Sequence, residues 1–293
     1  MANTIALAEK FIPVLDEVYK EASLTAVLDG ASDLVQQGAN ANELIIPKLD
    51  MQGLGDYSRN SGYVSGDVTL TNETVKCNFD RGRMFNVDYM DDLETAGIAF
   101  GRLSGEFIRT KVVPELDAFR LATYAGATGI SKVSTGATLD DGADVIAALR
   151  VAVSEMDEDE VPQTERYLFI TPTLYGMVQD LDTTKSREVL ANFASVIKVP
   201  QTRFYTAIEQ NDGTSSGEEA GGYKKGTGAA DINFMVIHKP AVIQFQKHVA
   251  PKIITPEQNQ TADAYKFGYR NVGIADVYKN KVSGIYLHMK AAG

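Results

Sequence analysis

The sequence predicts an α+β chain that completes its folding against copies of itself. Three stretches carry this expectation. Residues 44–87 hold two strand patterns parted by a long polar tract, residues 88–124 carry one long helical stripe, and residues 232–289 read as strands and turns. An isolated two-stranded arm is marginal in water, and a tract this long inside a compact domain is usually functional or disordered. The expected resolution is a projecting arm that gains order by lying on another subunit.

At the amino end, residues 4–28 have Leu7, Phe11, Leu15, Val18 and Ala22 at helical spacing, with Glu9, Asp16, Glu17 and Glu21 off that stripe. Pro13 should break or kink this helix into two, and Asp29-Gly30 is a stop signal. Both an ordinary packed helix and an arm docked along a neighbour fit the pattern. Residues 31–42 read as a connecting arm. Leu44-Ile45-Ile46 then opens an apolar strand, and residues 75–80 alternate apolar and polar as one half-buried strand. Between them, residues 50–66 contain Gly53, Gly55, Gly62 and Gly66.

The long helix at 88–124 shows Leu93, Ala96, Phe100, Leu103, Phe107 and Ile108 as its stripe. Asp88, Asp91, Asp92 and Glu94 crowd its start, where the helix dipole favours negative charge. Gly97, Gly101 and Gly105 fall on one ridge, each costing about 1 kcal/mol relative to alanine. Close packing or a need to change curvature would offset that cost. Interspersed Asp, Glu and Arg rule out a membrane dimer motif, and Pro114 should kink the helix near residues 110–113.

Residues 126–136, rich in Gly, Ser and Thr, mark the clearest boundary. A helix–strand–helix pattern follows. Asp140 or Asp141 caps a helix through Val145, Leu149, Val153 and Met156, residues 167–170 form a short buried strand, and Pro172 takes the first position of another helix. Residues 210–231 are a second long loop, with six glycines. Residues 232–237 read as a buried strand ending at His238-Lys239-Pro240, and 242–249 as a second strand. A tail sheet follows, with a turn at Lys279-Asn280-Lys281 closing the last strands as a hairpin.

Composition narrows the function. Hydrophobic content of 44% and charged content of 23% suit a soluble globular chain. A net charge of −11 with no basic block disfavours phosphate binding. Cys77 is the sole cysteine, which excludes an internal disulfide and a cysteine-based zinc site. No leader pattern opens the chain and no apolar run approaches the roughly 20 residues that span a bilayer, so cytoplasmic synthesis without export and no membrane association are expected. Catalytic and nucleotide-binding motifs are missing; Gly53-Leu54-Gly55 reads as a turn. His238, His248 and His288 read as structural, since no spacing forces two of them onto one metal. Residues 157–160, four carboxylates in a row, read as a solvated loop without calcium-loop spacing. No catalytic, cofactor-binding or metal residue is therefore expected.

Between residues 48 and 83, Lys48, Arg59, Lys76, Arg81 and Arg83 balance Asp50, Asp56, Asp67, Glu73 and Asp80. A neutral arm with arginines at its base could lie on an acidic neighbour. The inter-subunit contact candidates are Lys48, Arg59, Arg81 and Arg83 on one side and Asp88, Asp91, Asp92 and Glu94 on the other. Gly97, Gly101, Gly105 and Pro114 are the candidates for flexure of the long helix.

This order of elements resembles the major capsid proteins of tailed phages, the Hong Kong phage-type fold shared with encapsulin nanocompartments. The likeness is carried by residues 5–28, 44–85 and 88–124, by Phe234-Met235-Val236-Ile237-His238-Lys239-Pro240-Ala241, and by Val282-Ser283-Gly284-Ile285-Tyr286. It implies an N-terminal arm (1–43), an extended loop (44–87), a peripheral domain with a spine helix (88–137), an axial domain (138–248) and C-terminal strands (249–293), with the loop at 210–231 on an exposed or axis-facing edge. It further implies an icosahedral shell of hexamers and pentamers, assembled in the host bacterial cytoplasm around double-stranded DNA without specific binding. Expected partners are copies of the chain, a separate scaffolding protein, a portal and a decoration protein. An encapsulin-like compartment shell and a tail-tube subunit are the alternatives.

Overall fold

A computed structural model describes residues 23–30, 36–37, 43–60, 62–90, 98–130, 132–133, 136–181 and 183–291. In chain order the strands are β1 (Gln36–Gln37), β2 (Glu43–Met51), β3 (Val68–Lys76) and β4 (Phe79–Asp88), followed by the helices α1 (Ile98–Phe107) and α2 (Val113–Ala125). Then come β5 (Lys132–Val133), α3 (Gly142–Glu158), β6 (Arg166–Ile170), α4 (Pro172–Leu181), α5 (Thr184–Leu190), β7 (Ser195–Lys198), β8 (Ile208–Gln210) and β9 (Tyr223–Lys225). The chain ends with β10 (Ile232–His238), β11 (Val242–Ile254), β12 (Ala264–Val277) and β13 (Ile285–Met289).

The near-continuous apolar run of β10 requires cover on both faces, and all seven of its residues are buried. It lies at the centre of a five-stranded sheet ordered β5-β13-β10-β6-β7. Met235 and Ile237 meet Leu121 and Tyr124 of α2, with Leu28, on one face. Phe234 and Val236 meet Leu149 and Met156 of α3, Leu174 of α4 and Val189 of α5 on the other. A bulge between Ile232 and Phe234 turns Ile232 to the α2 face, against the simple alternation. Helix α3 starts as the sequence requires: Asp141 caps it, its carboxylate accepting the Asp144 N–H at 2.9 Å.

A second sheet, ordered β11-β12-β4, packs against the spine. Phe79, Phe267 and Tyr269 from the sheet meet Ile108, Val113 and Leu116 from the helix. The spine does not simply kink at Pro114. Residues Ile108–Val112 form one π-helical turn joining α1 to α2. Proline offers no N–H to the Thr110 carbonyl and its ring crowds that group; a wider turn just upstream relieves both. The Thr110 hydroxyl donates to the Glu106 carbonyl at 2.6 Å, filling a backbone acceptor there.

Two strand expectations need correction. Residues 75–80 are not one strand: β3 ends at Lys76 and pairs with β2, whereas β4 begins at Phe79 and pairs with β12. The alternation carries through because Asn78 makes the corner. Its side chain donates to the Ala275 carbonyl at 2.6 Å and accepts the Ala275 N–H at 3.1 Å, replacing a backbone partner for β12. Nor do the last strands close as a hairpin. β12 runs unbroken through residues 264–277, while β13 joins the other sheet between β10 and β5. The turn at Lys281 hands the chain across, and Gly284 fits there because a Cβ would lie 2.6 Å from that of Ala241.

The loop at 210–231 is also more ordered than a glycine tract suggests. β9 within it pairs antiparallel with β8 at its leading edge, making a short hairpin. Most of the predicted N-terminal helix, residues 4–22, lies outside the described residues; residues 23–30 pack against α2, with a single 3-10 turn at Ala26–Leu28.

Candidate assembly surfaces

Among the described residues, the hairpin β2–β3 has no apolar layer across its tip. Its strands pair from Glu43↔Lys76 to Met51↔Val68, and residues 52–67 extend beyond them. The tip is pinched by Ser58 and Gly62, which exchange backbone hydrogen bonds at 3.1 and 2.7 Å. Gly62 has φ +78°, which a side chain would oppose. Tyr57 and Tyr63 meet edge to face at 4.9 Å. Around them Leu54, Val64, Met51 and Val68 are exposed, and Tyr63 is 89% exposed.

The root of the hairpin is held differently. On β4, Arg81 and Arg83 point to one side, as alternation requires. Arg81 donates from Nε to the Glu115 carboxylate at 2.7 Å and from Nη2 to the Asn211 carbonyl at 2.7 Å. Arg83 donates to the Ala220 and Glu219 carbonyls at 3.1 and 3.0 Å. The two arginines thereby clamp the loop at 211–222 to the spine. Burial raises the Glu115 pKa above its ordinary value, and the Arg81 charge opposes that rise. Asp212 organises the loop: its carboxylate accepts the Ser215 hydroxyl first of all, and then the Ser215 and Thr214 N–H groups at 2.7 Å each, which together hold its pKa well below the carboxylate range.

These contacts redistribute the sequence-derived candidates. Arg81 and Arg83 spend their donors inside their own chain because β4 turns them toward α2. Arg59 sits exposed at the hairpin tip, and the backbone of Lys48 pairs opposite Thr71 on β3. Asp88 ends β4 and accepts the Met90 N–H at 2.9 Å. Asp91, Asp92, Glu94 and Gly97 lie outside the described residues; Gly101 and Gly105 are in α1 and Pro114 begins α2. A Cβ on Gly105 would meet nothing within 4 Å among the described residues.

One cluster escaped the sequence reading. Asp117, fully buried on α2, accepts Ser23 Oγ at 2.8 Å, Thr25 Oγ1 at 2.7 Å and the Leu24 N–H at 3.0 Å. Arg120, also buried, donates to Thr25 Oγ1 at 2.9 Å, and Gln244 donates to the Thr25 carbonyl at 2.7 Å. The signal was present: Asp117 and Arg120 follow Val113 by four and seven residues, on the core stripe itself. A charge at a core position asks for a buried partner.

The histidines stay apart in role. His288 stacks on Phe234 at 4.8 Å with Nδ1 3.2 Å from Asn233 Nδ2, and His238 ends β10. Burial lowers the pKa of both. The His248 side chain lies outside the described residues. Among the described residues, no group of three or more His, Cys, Asp or Glu is placed to hold a metal, and no helix is long and apolar enough to cross a membrane. Residues 157–160 close α3 and the turn after it, with Asp157 paired to Arg166 at 2.7 Å.

No family model matches the sequence, and no curated protein matches it. Solved structures do match the fold. The virus-like particle from Pyrococcus furiosus aligns with TM-score 0.58 at 11% identity, over 94% of this chain and 95% of that one. The capsid of Staphylococcus phage Andhra aligns with TM-score 0.55 at 10% identity, over 90% and 83%. The mature capsid of bacteriophage PhiM1 aligns with TM-score 0.54 at 13% identity, over 86% and 83%. The architecture is thus the one these capsid and particle structures share. More narrowly, it is the Hong Kong phage-type capsid fold, an α+β fold, as the order of elements implied.

Proposed function

We propose that this chain is the major capsid protein of a tailed double-stranded DNA phage or prophage, a structural protein that assembles into an icosahedral shell of hexamers and pentamers. The observation that carries this reading is the hairpin β2–β3 on a capsid-type fold, with its apolar tip in water. Closed symmetry repeats each modest contact many times, so burying such tips under neighbours would make a durable shell from individually correctable contacts. In this reading residues 44–76 form the extended loop, the spine with the β11-β12-β4 sheet forms the peripheral domain, and the five-stranded sheet with α3, α4 and α5 forms the axial domain. A separate scaffolding protein, a portal and a decoration protein are the partners it calls for, with assembly in the host cytoplasm. Arg59 at the tip and the acidic stretch at 88–94 remain the contact pair to test between subunits. The acidic balance of the chain suits an interior filled with DNA that must keep moving during packaging.

Electron microscopy of the purified chain tests this directly. Closed shells with five- and six-fold capsomers are expected, binding free DNA weakly at moderate salt. Tubes would point to a tail subunit, and a monomer at high concentration would overturn assembly altogether. The alternative reading is a compartment shell with protein cargo, which the match to the Pyrococcus furiosus virus-like particle does not favour over the first; small shells that copurify with one protein and no nucleic acid would select it.

A further inference from the structure

We propose that one rung of the β11–β12 ladder aims the β2–β3 hairpin, with Gln244 fastening the chain ahead of the hairpin sheet and Asn78 fastening it behind. Gln244 and Ala275 are direct cross-strand partners. Gln244 is 3% exposed, and both polar atoms of its side chain are engaged. Its Nε2 donates to the Thr25 carbonyl at 2.7 Å and to the Asp29 carboxylate at 2.6 Å, and its Oε1 accepts the Tyr124 hydroxyl at 2.7 Å. Its main-chain carbonyl accepts the Gly30 N–H at 3.2 Å. One residue thereby ties the stretch at 23–30 to both α2 and β11. The next described strand, β1, lies at the root of β2, pairing with Leu44 and Ile45.

The outgoing chain grips the other side of the rung. Asn78 takes both main-chain polar groups of Ala275, on the edge away from β11. On the face between the two edges, Val75 near the end of β3 is buried against Ile243 and Ile274, the residues next to the rung on each strand. The hairpin root is thus held at two edges and across the face that joins them, so a tilt breaks at least one of these contacts. Leverage makes that hold matter. At about 3.3 Å per residue, the 9 residues of β2 carry the tip about 30 Å from the root, and a tilt of about 10° moves it about 5 Å. A binding surface must be held within about 10–20° of its productive geometry. The value of this mount in assembly rests on the capsid reading, which sends the tip to a neighbour; its presence in the single subunit does not.

Spin labels on dissociated subunits of the full chain test this, in a Cys77→Ser background. Labels at Thr69→Cys, toward the tip end of β3, and at Ser154→Cys on α3 sit at exposed positions. Double electron–electron resonance between them reads the hairpin's angle as a distance distribution. The parent should give one narrow peak. Asn78→Ala, at an exposed position outside the core, should broaden it by about 4 Å or more, and Gln244→Leu should do so from the other edge. Amide exchange in β10 should stay unchanged in the Asn78 variant, which separates a loosened mount from a loosened core. A parent distribution that is already broad would overturn the proposal. So would an Asn78→Ala or folded Gln244→Leu subunit with the parent's width, or an Asn78→Ala broadening that comes with faster exchange in β10. The measurement is made on single subunits, so electron microscopy scores shell formation apart from it.

Discussion

Strand β10 and the tip of the β2–β3 hairpin use the same kinds of residue and meet opposite fates. Phe234, Met235, Val236 and Ile237 are fully buried between two helical layers, whereas Leu54, Tyr57, Tyr63 and Val64 stand in water. The first set is paired with its cover by its own chain. The second has none among the described residues, and the proposed shell would supply it from a neighbouring subunit. The contrast is sharpest in a pair of truncations. Phe234→Ala should cost about 3–5 kcal/mol of subunit stability, as large-to-small changes in a packed core do. Tyr63→Ala should stay within about 0.5 kcal/mol yet abolish or cripple assembly. Urea unfolding of dissociated subunits, beside sedimentation of assembled material, measures both. A Tyr63 variant that unfolds early would erase the distinction.

The clamp at the hairpin root sits between these extremes, and Arg81→Ala probes it. Losing charged hydrogen bonds to Glu115 and to the loop carbonyls should cost about 2 kcal/mol, and the amides of residues 211–222 should exchange faster. The variant also exposes a pH effect. Glu115 has a folded pKa above its ordinary 4.5, with burial as the main cause and Arg81 in opposition. A raised carboxyl favours the folded state while protonated, and that contribution is lost as pH rises through the folded value. Without Arg81 the folded value climbs further, so stability should fall over a wider range above pH 4.5. Urea unfolding from pH 4.5 to 7 reads this, and Glu115→Gln should flatten it.

A smaller pH effect separates the core from the hairpin. Burial lowers the His288 pKa below 6.5. The unfolded chain then binds more protons than the folded one as pH falls through 6.5, so stability declines toward the lower folded value. His288→Gln should reduce that decline. The hairpin at 43–76 contains no histidine, so tip-mediated association should not share it.

What the sequence disclosed follows from the range of each interaction. The cap at Asp141, the proline opening α4 and the buried run of β10 were readable because they depend on residues within one turn or one strand. The unfixed end of the hairpin was readable too, because no nearby pattern could cover it. The corner at Asn78 was not: the alternation of Val75, Cys77 and Phe79 continues across it, and only the distant Ala275 shows that two sheets meet there. The separation of β12 from β13 was hidden for the same reason, since a short turn between two strands reads as a hairpin unless the partner of each strand is known. Arg81 and Arg83 were visible as charges at the base of the arm. That they serve a loop some 130 residues away is a matter of tertiary contact.

Gly105 offers the finest test of where one chain ends and its neighbours begin. Among the described residues nothing lies within 4 Å of a Cβ placed there, and a glycine in a helix interior is about 1 kcal/mol worse than alanine. Gly105→Ala should therefore stabilise the isolated subunit by about that amount. Two roles between subunits remain, and they separate in the microscope. If a neighbour packs closely on this ridge, the added methyl should prevent shells from forming. If the spine must change curvature after assembly, shells should form normally but resist expansion on heating or acidification, because Gly105 lies three residues before the π-turn at Ile108, where the helix already departs from regular geometry. A variant that is no more stable, and whose shells form and expand like the parent's, would place the reason for this glycine in neither.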